Sequence, residues 1–69
     1  MYVHIIGKND EYLSAYTTAQ LARMARAAVK GRGILESHWV QFHERTGASQ
    51  LVCQYKRPDG WSENLHVAI

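Results

Sequence analysis

Four histidines, one cysteine, six carboxylates and eight Lys and Arg residues are the stock from which this chain could build chemistry. A zinc site needs His or Cys ligands at short, coordinated spacings. His38 and His43 stand five residues apart in a strand-like run, which directs them to opposite faces. His4 and His66 lie far from them in sequence, and Cys53 has no second thiol, so no metal and no cofactor is expected. Cys53 falls in mid-strand on the expected core face, where cysteine behaves as a small inert hydrophobe. The carboxylates Asp10, Glu11, Glu36, Glu44, Asp59 and Glu63 sit in or beside turns, with no pair facing one another for acid–base work. Gly31-Arg-Gly33 follows a helix instead of opening one, which is the wrong place for a phosphate loop. His43 with Arg45 is the one pairing that could serve a small ribonuclease-like toxin as acid and base. The expectation is a chain with no catalytic residue.

The cations are distributed differently. No acidic residue lies between Glu11 and Glu36, and that stretch holds Arg23, Arg26, Lys30 and Arg32, half of all the Lys and Arg. Arg23, Arg26 and Lys30 fall three or four residues apart, so on a helix they share one side. Like charges at these spacings cost a helix roughly 0.2–0.5 kcal/mol per pair. The stripe is either a solvated face or a docking surface for an anion, which could be nucleic acid or an acidic protein patch. Trp39, Tyr12 and Trp61 are the aromatics expected at the surface. Trp39 on an open sheet face suits a protein interface better than base stacking, because the aromatic run of an RNA-recognition sheet is missing.

These side chains need elements to hold them. Met1–Gly7 reads as a strand, rich in β-branched and aromatic residues. Gly7–Asp10 reads as a turn, and the alternation over Glu11–Tyr16 as the second arm of a hairpin, or else as a short irregular loop. Thr17-Thr-Ala-Gln20 is a capping box, with Tyr16 and Leu21 placed as a hydrophobic staple. The helix it opens should run to about Lys30, with Leu21, Met24, Ala25, Ala28 and Val29 as its apolar stripe and Gly31 and Gly33 ending it. Three strands follow over Ser37–Glu44, Gln50–Lys56 and Trp61–Ile69. Thr46–Ser49 and the strong turn Arg57-Pro-Asp-Gly60 connect them. The short connections imply an antiparallel meander.

The fold class is therefore α+β in the order ββαβββ, a single domain over residues 1–69, with the helix packed on one face of the sheet. The expected core is Val3, Ile5, Leu13, Leu21, Met24, Ala28, Val40, Phe42, Leu51, Cys53, Leu65 and Val67. Trp39, Gln41, His43, Val52, Gln54 and His66 should line the open face, on which a second copy could pair.

Composition limits the rest. At 69 residues and 46% apolar content, the chain is too apolar for a disordered protein. It is also too short to bury a large core. A single cysteine excludes an internal disulfide, and neither a signal peptide nor a bilayer-spanning run is visible. A reducing, cytoplasmic setting without a membrane partner is expected.

Tyr12–Met24, with its Ala15-Tyr-Thr-Thr18 entry to a helix bearing a central Arg, is followed by Trp39-Val-Gln-Phe-His-Glu44, Leu51-Val-Cys-Gln-Tyr-Lys56 and Asp59-Gly-Trp61. This pattern resembles the small phage-encoded anti-CRISPR proteins that inhibit type I systems, those of type I-F in particular. The likeness covers most of the chain and lies in pattern. It implies a cytoplasmic inhibitor in the bacterial host that binds CRISPR effector subunits through basic residues and covers the channel where target DNA pairs with the guide. Carried over, the binding positions are Arg23 and, beside it, Arg26. The family's second helix cation falls near Ala22, which is neutral here.

The expectation is thus a non-enzymatic inhibitor of phage or mobile-element type. It would dock on a nucleic-acid-handling protein complex through Arg23, Arg26, Lys30, Arg32 and Trp39. A sequence-independent nucleic-acid-binding module and a small RNase-like toxin are the alternatives.

Overall fold

The computed structural model describes residues 2–6, 12–43, 45 and 48–69, with the side chains of residues 6, 12–14 and 43 left aside. The elements run β1 (Tyr2–Ile6), β2 (Tyr12–Thr17), α1 (Thr18–Ala28), β3 (Ile34–His43), β4 (Ala48–Lys56) and β5 (Ser62–Ala68). β1 and β2 form an antiparallel hairpin, so the second arm is a strand and not an irregular loop. β3, β4 and β5 form a separate antiparallel sheet in that order. This is the expected ββαβββ arrangement. The turns expected at Gly7–Asp10 and around Thr46 and Gly47, and the facing of Tyr12 and Leu13, lie outside the described residues.

The helix starts where its capping box places it. Thr17 is extended, its Oγ1 accepts from the Gln20 N–H at 3.0 Å, and its own N–H donates to Gln20 Oε1 at 2.8 Å. Two of the orphan donors of the first turn are satisfied in this way. The helix ends two residues before the expected Lys30. The Val29 carbonyl takes the N–H of Arg32 at 2.9 Å and that of Gly33 at 3.3 Å, while Gly31 adopts φ +80°. A positive φ of this kind is open to glycine without steric cost. Gly33 is needed for a different reason. A Cβ there would land on the Lys56 carbonyl, so only a glycine lets the chain leave α1 and pass against the end of β4.

The core lies between α1 and one face of the three-stranded sheet. Leu21, Ala25 and Val29 from the helix side meet Leu51, Cys53 and Tyr55 from β4, with Val3, Met24, Val40, Leu65 and Val67 packed around them. Ala25 has no accessible surface, and its small side chain lets the helix approach the sheet closely. Each fully buried Leu- or Val-sized side chain contributes roughly 1.5–3 kcal/mol. So few of them make a thin margin for a domain of this size.

Phe42 corrects the expected core. It points to the helix side of the sheet, opposite Ser49, yet remains 39% exposed. The cause is length. An eleven-residue helix covers ~16 Å, whereas the ten residues of β3 extend ~34 Å, so the far end of β3 runs past the helix. β3 also begins three residues earlier than expected, because an irregularity in register between Leu35 and Ser37 absorbs one extra residue. Without that shift, Leu35 could not face the core while Val40 does too. Val52 lines the open face as expected, with a difference in burial. It stands on the face away from α1 but is wholly buried, since the register sets it between the larger Trp39 and His66 on the two flanking strands.

Candidate functional surface

Arg23 and Arg26 stand on the outer side of α1, and both are exposed. Lys30 and Arg32 continue the line, not on the helix itself but in the turn that closes it, and they are exposed as well. Capping and the Gly31 conformation fix this line, because they determine where the chain leaves α1. Among the described residues, the only ion pairs belong to Arg57, which meets Asp59 at 2.8 Å and Glu63 at 3.0 Å. Glu36 accepts a hydrogen bond from Ser62 Oγ at 2.7 Å instead. Arg23, Arg26 and Lys30 are thus not neutralised by any described carboxylate. Glu44, one acid that could have reached them, lies outside the described residues.

Arg32 differs from the other three. Its guanidinium lies close enough to the Tyr55 hydroxyl to oppose the upward shift of that phenol. Tyr55 donates to Glu63 Oε2 at 2.6 Å, and Arg57 donates to Glu63 Oε1 at 3.0 Å. The Glu63 hydrogen bond pushes the Tyr55 phenol up, and the same bond holds the Glu63 carboxyl below its ordinary value. At this end of the molecule, the Arg57–Gly60 turn is closed by Gly60 N–H to the Arg57 carbonyl at 2.9 Å, with Gly60 at φ +92°. Asp59 Oδ1 accepts from the Trp61 N–H at 3.0 Å. Arg57 is spent on this hairpin, while Trp61 stands 73% exposed beside it.

Trp39 does not join the cation line. It pairs with Val52 on the sheet face turned away from α1, at 38% exposure. The five residues expected to bind a partner thus divide between two opposite surfaces, four cations on one and Trp39 on the other.

The remaining chemical candidates are dispersed. Cys53 has no accessible surface, and burial pushes its thiol up, which disfavours the reactive thiolate. His4 is on β1, His66 on the open face beside Gln50 Oε1 at 3.1 Å, and His38 on the helix side of β3 opposite Cys53. His38 also lines a shallow groove of about 330 Å³, together with Val3, Thr18, Leu21, Trp39 and Val40. Among the described residues, no three His, Cys, Asp or Glu side chains gather to hold a metal ion. The His43 side chain of the proposed His43–Arg45 pair lies outside the described residues. No helix among the described residues is long and apolar enough to cross a membrane. Compared with protein families, curated proteins and solved structures, the chain matches none.

Proposed function

We propose that this chain is a non-enzymatic binding protein whose cationic side docks on an acidic surface of a nucleic-acid-handling protein complex and blocks access to it. Following the pattern-level resemblance, the complex is a type I CRISPR surveillance complex in a bacterial host. The observation that carries the reading is the line of Arg23, Arg26 and Lys30, exposed and without a described carboxylate partner. Like charges at helical spacing oppose one another and are a net cost to the isolated fold. A partner's carboxylates turn that cost into attraction, and with it into faster and more selective encounter.

A protein surface fits the line better than DNA does. Three or four cations on phosphates would release few counterions, so affinity would fall only about as the third power of salt concentration. The exposed alanines beside the cations, Ala19 before Arg23 and Ala27 after Arg26, offer no hydrogen bonds to base edges. The test is a titration of the chain onto a purified type I-F surveillance complex, before and after addition of target DNA. Saturation with the chain should prevent DNA capture. DNA capture that proceeds unchanged on the saturated complex rejects the blocking role, and a gel shift of free duplex at low chain concentration favours the nucleic-acid-binding alternative.

A further inference from the structure

We infer that the open face of the β3–β4–β5 sheet seats a second copy of this chain, forming a face-to-face homodimer with both helices on the outside. The register arranges this face as three rows across three strands. Trp39, Val52 and His66 make the middle row, Ser37, Gln54 and Asn64 the row on one side, and Gln41, Gln50 and Ala68 the row on the other. No Lys, Arg, Asp or Glu stands in this grid, in a chain that carries fourteen such residues by adding eight cations to six anions. Glu36 and Lys56, opposite in sign, flank it toward the Arg57 turn.

Charge and hydrogen-bonding capacity together select the occupant. A copy placed on the α1 side would press Arg23, Arg26 and Lys30 against their own counterparts, whereas the open face brings no like charges together. Its polar groups are amides, the Ser37 hydroxyl and an imidazole, each able both to donate and to accept. Such a surface is complementary to itself, as a twofold interface requires. In the middle row, the 38% exposed Trp39 supplies the aromatic anchor typical of interface hot spots.

The available area is adequate for a weak dimer. The ten, nine and seven residues of β3, β4 and β5, at ~3.4 Å per residue and ~4.8 Å per strand, give ~420 Å² of sheet plane per copy. The pair thus buries roughly 850 Å², the size of a weak, reversible contact. Two packed sheets with a helix outside each would also direct the two cation lines away from each other, making the assembly bivalent. The dimer itself does not depend on the proposed anionic partner.

Sedimentation velocity over a wide concentration range tests the inference on the unmodified chain. A reversible monomer–dimer equilibrium is expected. Asn64→Arg, at an exposed edge position with little bearing on folding, should weaken dimerisation by roughly tenfold or more, and Trp39→Arg by at least as much. Arg23→Glu with Arg26→Glu should leave dimerisation intact. A chain that stays monomeric at every concentration overturns the inference, and so does a dimer of undiminished affinity in Asn64→Arg, which would place the contact on a strand edge or on the helix side. Circular dichroism of each variant checks that a lost dimer is not a lost fold.

Discussion

The Tyr55 hydroxyl donates to Glu63 Oε2 at 2.6 Å, joining neighbouring residues of β4 and β5 on the helix side of the sheet. The bond favours the protonated phenol and the ionised carboxylate together, which makes the hairpin sensitive to pH in both directions. Glu63, whose carboxyl is held low chiefly by this bond, stabilises the fold above its ordinary value of 4.5, and that contribution is lost as pH falls through the depressed value. Tyr55, whose phenol is raised chiefly by the same bond, contributes fully below its ordinary value of 10.0 and loses its contribution as pH rises through the raised one. Urea unfolding across pH should show a plateau with an acid and an alkaline limb. Tyr55→Phe should shrink both limbs, and limbs unchanged in that variant would show that other groups set them.

Gly33 should tolerate no side chain. Because a Cβ would meet the Lys56 backbone carbonyl, and not the movable end of a side chain, relief requires the backbone of β4 or of the exit turn to shift. Gly33→Ala is expected to cost about 1–3 kcal/mol in chemical unfolding. Gly31→Ala strains the backbone through its positive φ but meets no atom nearby, so its cost should be the smaller.

Leu51 and Phe42 separate the true core from the expected one. Leu51→Ala removes a side chain with no exposed surface and should cost about 2–5 kcal/mol. Phe42→Ala, at the end of β3 beyond the reach of α1, should cost clearly less, although phenylalanine is the larger residue. Equal losses in the two variants would show that α1 or another segment covers Phe42 in solution.

Much of this architecture is written in local sequence. Thr17 and Gln20 announce the helix start because capping is a short-range exchange of hydrogen bonds. Pro58, Asp59 and Gly60 announce the last hairpin because turn geometry depends on three or four residues. Phe42 is less buried than its place on the core face implies, and Val52 on the open face more so, because burial depends on what lies across the sheet. A strand alternation says which way a side chain points, but not whether the helix extends far enough to cover it or whether larger neighbours close over it. The extra residue near Glu36 was hidden for the same reason, since a register shift is a property of a strand pair. Among the candidate partner-binding residues, the acid-free stretch from Arg23 to Arg32 was legible as a charge pattern. The separation of Trp39 from that stretch was foreseeable only as a difference of faces.

Thr17 offers an independent check on the helix that carries the cations. Thr17→Ala removes the acceptor for the Gln20 N–H and should cost about 1 kcal/mol. If α1 is what presents Arg23 and Arg26, partner affinity should fall in step with the fraction of folded chain and recover on cooling. Affinity indifferent to that loss would place the binding surface elsewhere.

The most direct measurement is the affinity of the chain for a purified type I-F surveillance complex, compared between the wild type and the Arg23→Glu, Arg26→Glu double variant at one fixed salt concentration. Both substitutions are at exposed positions of α1 outside the core, so the variant should fold as the wild type does by circular dichroism. The account predicts that binding is lost, by a hundredfold or more if each reversal costs about 1.4 kcal/mol. A folded double variant that binds the complex as tightly as the wild type would contradict it.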